Sequence, residues 1–246
     1  MIPDIRRKKI TELLKGGDVM FLPELIREMG ASESTVRRDL KYMQRNGEVE
    51  LLRGGGVQLS QKDVEMNIHT KMLINEKEKM RIANRAASYI YPGDVLYLDP
   101  SSINYLLIDL LNDERITVVT NSVIHMGKLL EKDMPCIFLG GQAKHKTMSC
   151  VGPITEKMMS ALRFSKCFLG ANGADVDMGI TNYDPREQSI KQLAISLSAS
   201  TFFLIDSVKY RKTAMCRVAG IGDHSIITGA KWEGCEEYEN IIVTEE

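Results

Sequence analysis

Apolar residues recur at helical spacing over the first 60 residues, and after residue 92 they gather into short unbroken runs, so the chain predicts two architectures in series. Ile10, Leu13 and Leu14 make the inner stripe of a helix from Pro3 to Leu14, which Gly16-Gly17-Asp18 ends. Leu22, Leu25, Ile26 and Met29 fall at i, i+3, i+4 and i+7 and predict a helix over about Pro23–Met29. Val36, Leu40 and Met43 do the same for Glu33–Arg45, closed by Asn46-Gly47. Gly30 suits a left-handed turn between the second and third helices, and Ser32 is a good N-cap for the amide of Ser34 or Thr35. Val49–Arg53, the three glycines Gly54, Gly55 and Gly56, and Val57–Leu59 then read as strand, tight turn and strand, a wing.

The stretch 59–75 is polar and poorly patterned and reads as a linker into a helix over Glu76–Tyr91, with Ile82, Ala86 and Ile90 along one side. Beyond Pro92-Gly93, buried-strand runs start at Val95, Ile116, Cys136, Cys167, Thr201, Ser225 and Ile241. Helical stretches Ile103–Leu111, Val123–Glu131, Pro153–Leu162 and Pro185–Ala199 lie between several of them. That alternation predicts a mostly parallel, helix-covered sheet. The expected domains are therefore 1–58, a linker 59–75, and 76–246.

Composition narrows this little: 43% hydrophobic and 26% charged residues are ordinary for a globular protein of 246 residues. No apolar run approaches a membrane span, and the basic start Arg6-Arg7-Lys8-Lys9 is followed by no apolar core of a secretory signal. The five cysteines are widely spaced, without C-x-x-C, which fits reduced thiols in a cytoplasm and no metal site. His69, His125 and His224 lack ligand spacing and read as ordinary polar residues; no cofactor is expected.

Net charge is −1, so charge placement matters more than its sum. On the third helix Ser34, Arg37, Arg38, Lys41 and Arg45 share a face distinct from the apolar stripe. A short helix with a hydroxyl-and-guanidinium face is what reading a DNA major groove requires. Arg37 and Arg38 suit phosphates or guanine edges, Ser34 and Thr35 base or backbone contacts, and Lys41 and Arg6 phosphates. Arg53 beside Gly54 could enter a minor groove. Asp39 is expected to order a neighbouring arginine or a helix start.

In a parallel sheet, ligands bind at the carboxyl ends of the strands. The residues after successive strands are Asp99-Pro100-Ser101-Ser102, Thr120-Asn121-Ser122, Gly140-Gly141 running on to Lys144 and Lys146, Gly170–Asp175 with Asn172, and Asp206–Lys212 with Lys209. Hydroxyls and amides at helix starts suit an anion. Lys144, Lys146 and Lys209 could neutralise it, and Asp99, Asn121, Asn172 and Asp175 could bind hydroxyls. A phosphorylated polyol matches that chemistry.

The chain also resembles the DeoR family of bacterial transcription regulators over essentially its whole length. The resemblance lies in Ser34–Leu40 and Arg53-Gly54-Gly55, then in Val119–Ser122, Leu139-Gly140-Gly141, Val151-Gly152-Pro153, Phe168–Ala171 and Asp206–Lys209. It implies an α/β fold: a winged helix-turn-helix, then a Rossmann-like domain similar to ribose-5-phosphate isomerase that responds to sugar phosphates. It also implies operator binding, most members being repressors. The phosphate loop usually reads Asp-x-Gly-Ser/Thr-Ser/Thr; here Ser101 stands at the glycine and Ile103 at a hydroxyl. Asn172 replaces a common aspartate, and Arg53 is the one base before the wing glycines.

The leading reading is a regulator of carbohydrate-metabolism genes, working as a homo-oligomer (dimer or tetramer) on double-stranded operator DNA, with no enzyme activity and no membrane partner. Its phosphorylated-sugar effector would meet the residues at the strand ends and Glu187. One alternative is a sugar-phosphate isomerase with a DNA-binding appendage, in which Glu187 would be the base with Asp175 and Lys191 near it in sequence. Another is a constitutive DNA-binding oligomer.

Overall fold

The computed structural model describes residues 2–14, 19–45, 48–59 and 68–244. The expected helix ends at Gly16-Gly17-Asp18 and Asn46-Gly47, and the Arg45 side chain, lie outside the described residues. The chain forms two compact units, Met1–Asn75 and Glu76–Glu246.

The first unit contains α1 (Pro3–Leu14), β1 (Met20–Phe21), α2 (Leu22–Met29), α3 (Glu33–Arg45), β2 (Val49–Leu51), β3 (Gly56–Leu59) and α4 (Ile68–Leu73). The three apolar stripes meet as one core of Ile10, Leu14, Leu22, Leu25, Met29, Val36, Leu40 and Met43, closed by Val49 and Val57 from the wing. Each such side chain contributes about 1.5–3 kcal/mol of burial, and a small unit depends on all of them. Gly30 caps α2 in the left-handed region at φ 59°, its amide donating to the Ile26 and Arg27 carbonyls. β2 and β3 pair antiparallel from Val49↔Leu59 to Leu51↔Val57. The turn between them runs through Gly54 and Gly55 at φ 99° and 86°, values that L side chains rarely adopt. Two features were not legible. β1 is only two residues long and pairs with β3. α4 lies inside the stretch read as linker, held by the buried Ile68; six residues are too few to show a helical period.

The second unit runs α5 (Glu76–Ala87), β4 (Val95–Leu98), α6 (Ser102–Leu110), β5 (Thr117–Thr120), α7 (Val123–Glu131), β6 (Cys136–Phe138), β7 (Gln142–Lys144), β8 (Ser149–Val151), α8 (Pro153–Ser160) and β9 (Phe164–Leu169). It continues through β10 (Gly173–Asp175), β11 (Gly179–Asn182), α9 (Pro185–Leu197), β12 (Ser198–Ile205), β13 (Cys216–Ala219), β14 (Ser225–Thr228) and β15 (Ile241–Val243). Helix α5 stops before the expected Tyr91, because Pro92-Gly93 breaks it and the Asp94 carboxylate accepts from the Tyr91 amide at 2.8 Å. Seven strands form one parallel sheet in the order β15-β14-β12-β9-β4-β5-β6. Side chains alternate between its faces. Tyr97, Cys167, Leu169 and Phe203 pack with Ile190 and Ala194 of α9. Leu96, Leu98, Phe168 and Leu204 pack with Ile82, Ala86 and Leu107 of α5 and α6. The chain moves outward from β4 to β6, then returns to place β9 on the other side of β4. The carboxyl ends of β4 and β9 are thus the point where strand order reverses, and connections there leave in opposite directions. The small pairings β7–β8 and β10–β11–β13 were missed, since segments such as Gly173-Ala174-Asp175 carry no apolar run.

Candidate functional site

Within the first unit, the basic start of the chain divides. Arg6 is buried, 7% exposed, and its Nε donates to Asp39 Oδ2 at 2.5 Å. That placement takes Arg6 out of the phosphate-binding role expected for it and makes it a tie between α1 and α3, with Asp39 as the ordering carboxylate. The pair holds the Arg6 guanidinium firmly protonated. Lys9 Nζ donates to the Glu28 carbonyl at 2.9 Å, near the end of α2. Arg7 lies with its guanidinium carbon 3.6 Å from the centre of the Tyr42 ring and its Nε 3.5 Å from Asp39.

The outward face of α3 is as the spacing predicts: Ser34, Arg37, Arg38 and Lys41 are exposed and Thr35 half-buried. Arg37 pairs with Glu33 one turn back, Nε to Oε1 at 2.7 Å. The Ser32 hydroxyl lies 2.8 Å from Thr35 Oγ1 and 3.2 Å from Ser34 Oγ, and its carbonyl accepts from the Thr35 and Val36 amides. Arg53 and Gly54 stand exposed on the wing turn.

In the second unit, the expected residues gather at the carboxyl edge of the sheet, but most of the buried ones already hold protein partners. The Asp99 carboxylate accepts from the Gly170 amide at 2.8 Å, from Asn104 Nδ2 at 2.8 Å and from Lys191 Nζ. Lys191 also donates to the Gly170 carbonyl at 2.9 Å. These contacts stitch the ends of β4 and β9 to α6 and α9. Asn121 accepts from the Tyr97 hydroxyl at 2.8 Å and donates to the Cys150 carbonyl at 2.7 Å. Glu187 accepts from Thr147 at 2.8 Å and Asn182 at 2.8 Å, with Lys144 at 3.0 Å. Asn172 Oδ1 accepts from the Tyr183 amide, and Asp175 Oδ1 caps its own hairpin turn at Asp177 and Met178. Lys146 is exposed on the β7–β8 hairpin. Lys209 closes the single 3-10 turn after β12, beside Asp206 and Ser207. There Glu78 receives the Ser207 amide and hydroxyl, and Lys79 sits 3.5 Å from the buried Asp206.

Two helix starts face this edge. Ser122 caps α7, and the Val123 amide is taken by the Met148 carbonyl at 2.9 Å, so the β7–β8 hairpin closes that start. Ser101 caps α6 by accepting from the Asn104 amide at 3.3 Å. Among the described residues the Ser102 and Ile103 amides, the first two of α6, have no backbone acceptor, the ordinary condition of a helix start. Ser101 replaces the family's usual glycine without strain, because its φ of −108° and ψ of 153° are extended. Gly170 opposite makes the room: a Cβ there would lie 2.6 Å from Ser101 Cβ. Gly140 accepts from Thr155 Oγ1 at 2.8 Å, and a Cβ on Gly141 would also meet Thr155.

Sequence reasoning missed Asn104, Lys79, Glu78, Thr147 and His125. The first four carry no motif, being single polar residues on otherwise ordinary helices and loops. His125 is not the ordinary polar residue expected. It is wholly buried, and its Nε2 lies 3.2 Å from the Ser101 carbonyl, which that nitrogen must face as a donor. Burial pulls its pKa down to about 4, against a smaller opposing pull from Asp99. Between pH 6.5 and about 4 the unfolded chain binds a proton that the folded chain refuses, so stability rises with pH across that window and is lost on acidification. The second unit should lose up to about 3 kcal/mol between pH 7 and pH 4 through this group. Denaturant titrations of wild type and His125→Gln at both pH values check it: the variant should show a flatter dependence, and parallel curves would remove His125 as the cause.

Among the described residues no group of three or more His, Cys, Asp and Glu could hold a metal ion, and no helix is long and apolar enough to cross a membrane.

A three-helix head with a wing, followed by a parallel sheet whose open edge collects hydroxyls, amides and lysines, defines a DNA-binding regulator with a separate sensing unit. Residues 6–62 match the DeoR-like helix-turn-helix domain and residues 74–230 the DeoR C terminal sensor domain, and the chain belongs to the DeoR family of transcription regulators. It is 36% identical over 229 residues to the uncharacterized HTH-type transcriptional regulator FruR of Bacillus subtilis (strain 168), covering 93% of this chain and 91% of that one. It is 32% identical over 210 residues to the lactose phosphotransferase system repressor of Lactococcus lactis subsp. lactis, covering 83% and 82%. Among solved structures, a D-ribose-5-phosphate isomerase in complex with phospho-erythronic acid resembles it at 17% identity over 55% of this chain and 54% of that one, with a TM-score of 0.42.

Proposed function

We propose that this chain is a cytoplasmic repressor of carbohydrate-metabolism genes that binds operator DNA as a homo-oligomer and whose affinity is set by a phosphorylated sugar. The observation that carries the DNA half is the exposed face of α3, where Ser34, Arg38 and Lys41 stand clear of the core. Arg38 and Arg37 reach bases or phosphates, Ser34 and Thr35 the groove edge, Lys41 a phosphate, and Arg53 with Gly54 brings the wing against the backbone. Arg6 acts from inside, through Asp39.

For the effector, the open start of α6 is the better anion seat, because the hairpin closes the start of α7. Ser101, Ser102 and the adjacent amides take the phosphate, with lysines of the strand edge, Lys146 and Lys209 among them, as counter-charges. Asn172, Gly140, Gly141 and Ser122 shape the edge for the polyol. Asp99, Asn121 and Glu187 hold the frame, since their oxygens are already engaged, and Asp175 belongs to its hairpin. The same engagement disfavours the isomerase reading, which needs Glu187 as a base with room to take a proton. Effector binding changes the DNA-competent population only through different affinity for the two states. The lactose repressor's name favours repression over activation as the sign.

Thermal-shift screening tests the sensing half. Some pentose, ketohexose or triose phosphate at 100 times its Kd should stabilise the protein by about 2.7 kcal/mol, and the unphosphorylated sugar should not. Equal shifts with and without the phosphate would overturn the anion seat, and turnover of any of them followed by NMR would restore the enzyme.

A further inference from the structure

We infer that Glu33, the first residue of α3, is a specificity-determining residue whose carboxylate, held by Arg37, accepts from the N4 amine of a cytosine in the major groove. The inference rests on the DNA-binding reading of α3 and adds to it one acceptor among the donors.

Glu33 is the one acid that α3 exposes; the other, Asp39, is buried at 1% exposure and tied to Arg6. The outward residues around it, Ser34, Arg38 and Lys41, are hydroxyl or cationic. A negative charge in the first turn suits the helix dipole, and that alone would account for an acid left loose in solvent. Glu33 is not loose. Its Oε1 takes the Arg37 Nε at 2.7 Å, one turn along the helix. Arg37 follows Ser34 by three residues and precedes Lys41 by four, so the tie carries the carboxylate to the rim of the reading face. The Glu33 side chain is 60% exposed, and among the described residues its Oε2 has no protein donor. One oxygen is thus anchored and the other is open.

The N-terminal residues of a helix lying in the major groove meet base edges. Phosphates repel a carboxylate there, and the paired Arg37 cancels that charge. Of the base edges in that groove, only cytosine N4 and adenine N6 donate. Adenine sets N7, an acceptor, beside its N6, and a carboxylate has no hydrogen to give it. Cytosine offers its amine with no acceptor of its own alongside. A carboxylate so held selects cytosine. A glutamine in its place accepts from N6 while donating to N7, and selects adenine.

The test uses the full chain. Wild type and Glu33→Gln each select operators from random duplex DNA. The two selected half-sites should differ at one base pair, cytosine for wild type and adenine for the variant. In anisotropy titrations the wild type should favour the cytosine operator about 10-fold over its adenine counterpart, and the variant should reverse that preference. The ratio cancels any general change in affinity, so an acid that merely supports the helix start would leave it unmoved. Identical selected sites with equal ratios would overturn the inference. So would a gain in affinity equal on all sequences, the mark of a carboxylate that only repels phosphates. Arg38→Ala, measured beside them, separates the failures. If it loses affinity while Glu33→Gln keeps the wild-type preference, α3 reads DNA without Glu33. If it too binds normally, the DNA-binding reading of α3 itself fails.

Discussion

Replacing Arg38 by alanine is expected to weaken operator binding about 10- to 100-fold, the cost of one guanidinium contact to a base or phosphate. The side chain is exposed on the outward face of α3, two residues past Val36 and two before Leu40, which are both in the core. Its removal therefore leaves the head's packing intact, and a loss of affinity would belong to the interface. Arg37→Ala should cost less. Its guanidinium is already paired with Glu33 at 2.7 Å, and DNA must compete with that carboxylate. Fluorescence anisotropy with a labelled operator at fixed salt reads both. If Arg37→Ala cost as much as Arg38→Ala, the Glu33 pair would not hold in the complex.

The second large effect lies in the sensor. Lys191→Met should destabilise the second unit by about 3–5 kcal/mol, because it leaves the buried carboxylate of Asp99 without its cation. Asp99 is 1% exposed and Lys191 6%, so water cannot replace either partner. Adding Asp99→Asn to Lys191→Met should recover part of the loss: the orphaned charge disappears and the amide oxygen still accepts from the Gly170 amide, while its NH2 loses the bond that Asn104 Nδ2 gave to the other carboxylate oxygen. Guanidinium titrations of the two single variants and the double variant form the cycle. Additive losses would mean that the two side chains act independently, against the stitched strand ends described above.

The parts of the molecule that were legible in the sequence are those in which a repeated pattern is read. Val36, Leu40 and Met43 gave α3 and its buried side. The apolar runs gave all seven strands of the parallel sheet, and the residues after them marked the edge where the candidate site lies. What the pattern could not show was which polar groups at that edge are already satisfied. Asp99 and Asn121 look like hydroxyl ligands in one dimension. In three they are consumed by Lys191, Asn104, Gly170, Tyr97 and Cys150, partners up to 92 residues away. Arg6 failed for the same reason: its ion pair with Asp39 spans 33 residues, and no local spacing announces it. His125 sits in the first turn of an ordinary helix, and only the packing of α7 against the α6 loop buries it.

The central claim is that one end of this chain holds duplex DNA and the other sets that grip by binding a sugar phosphate. The most direct measurement is a gel shift of the protein on the DNA upstream of its own gene at low salt, with and without the sugar phosphate that stabilises it most. The account predicts a discrete complex without the sugar phosphate and a changed affinity with it, lost together with Arg38. No complex at low salt, or a complex indifferent to every sugar phosphate that binds, would contradict it.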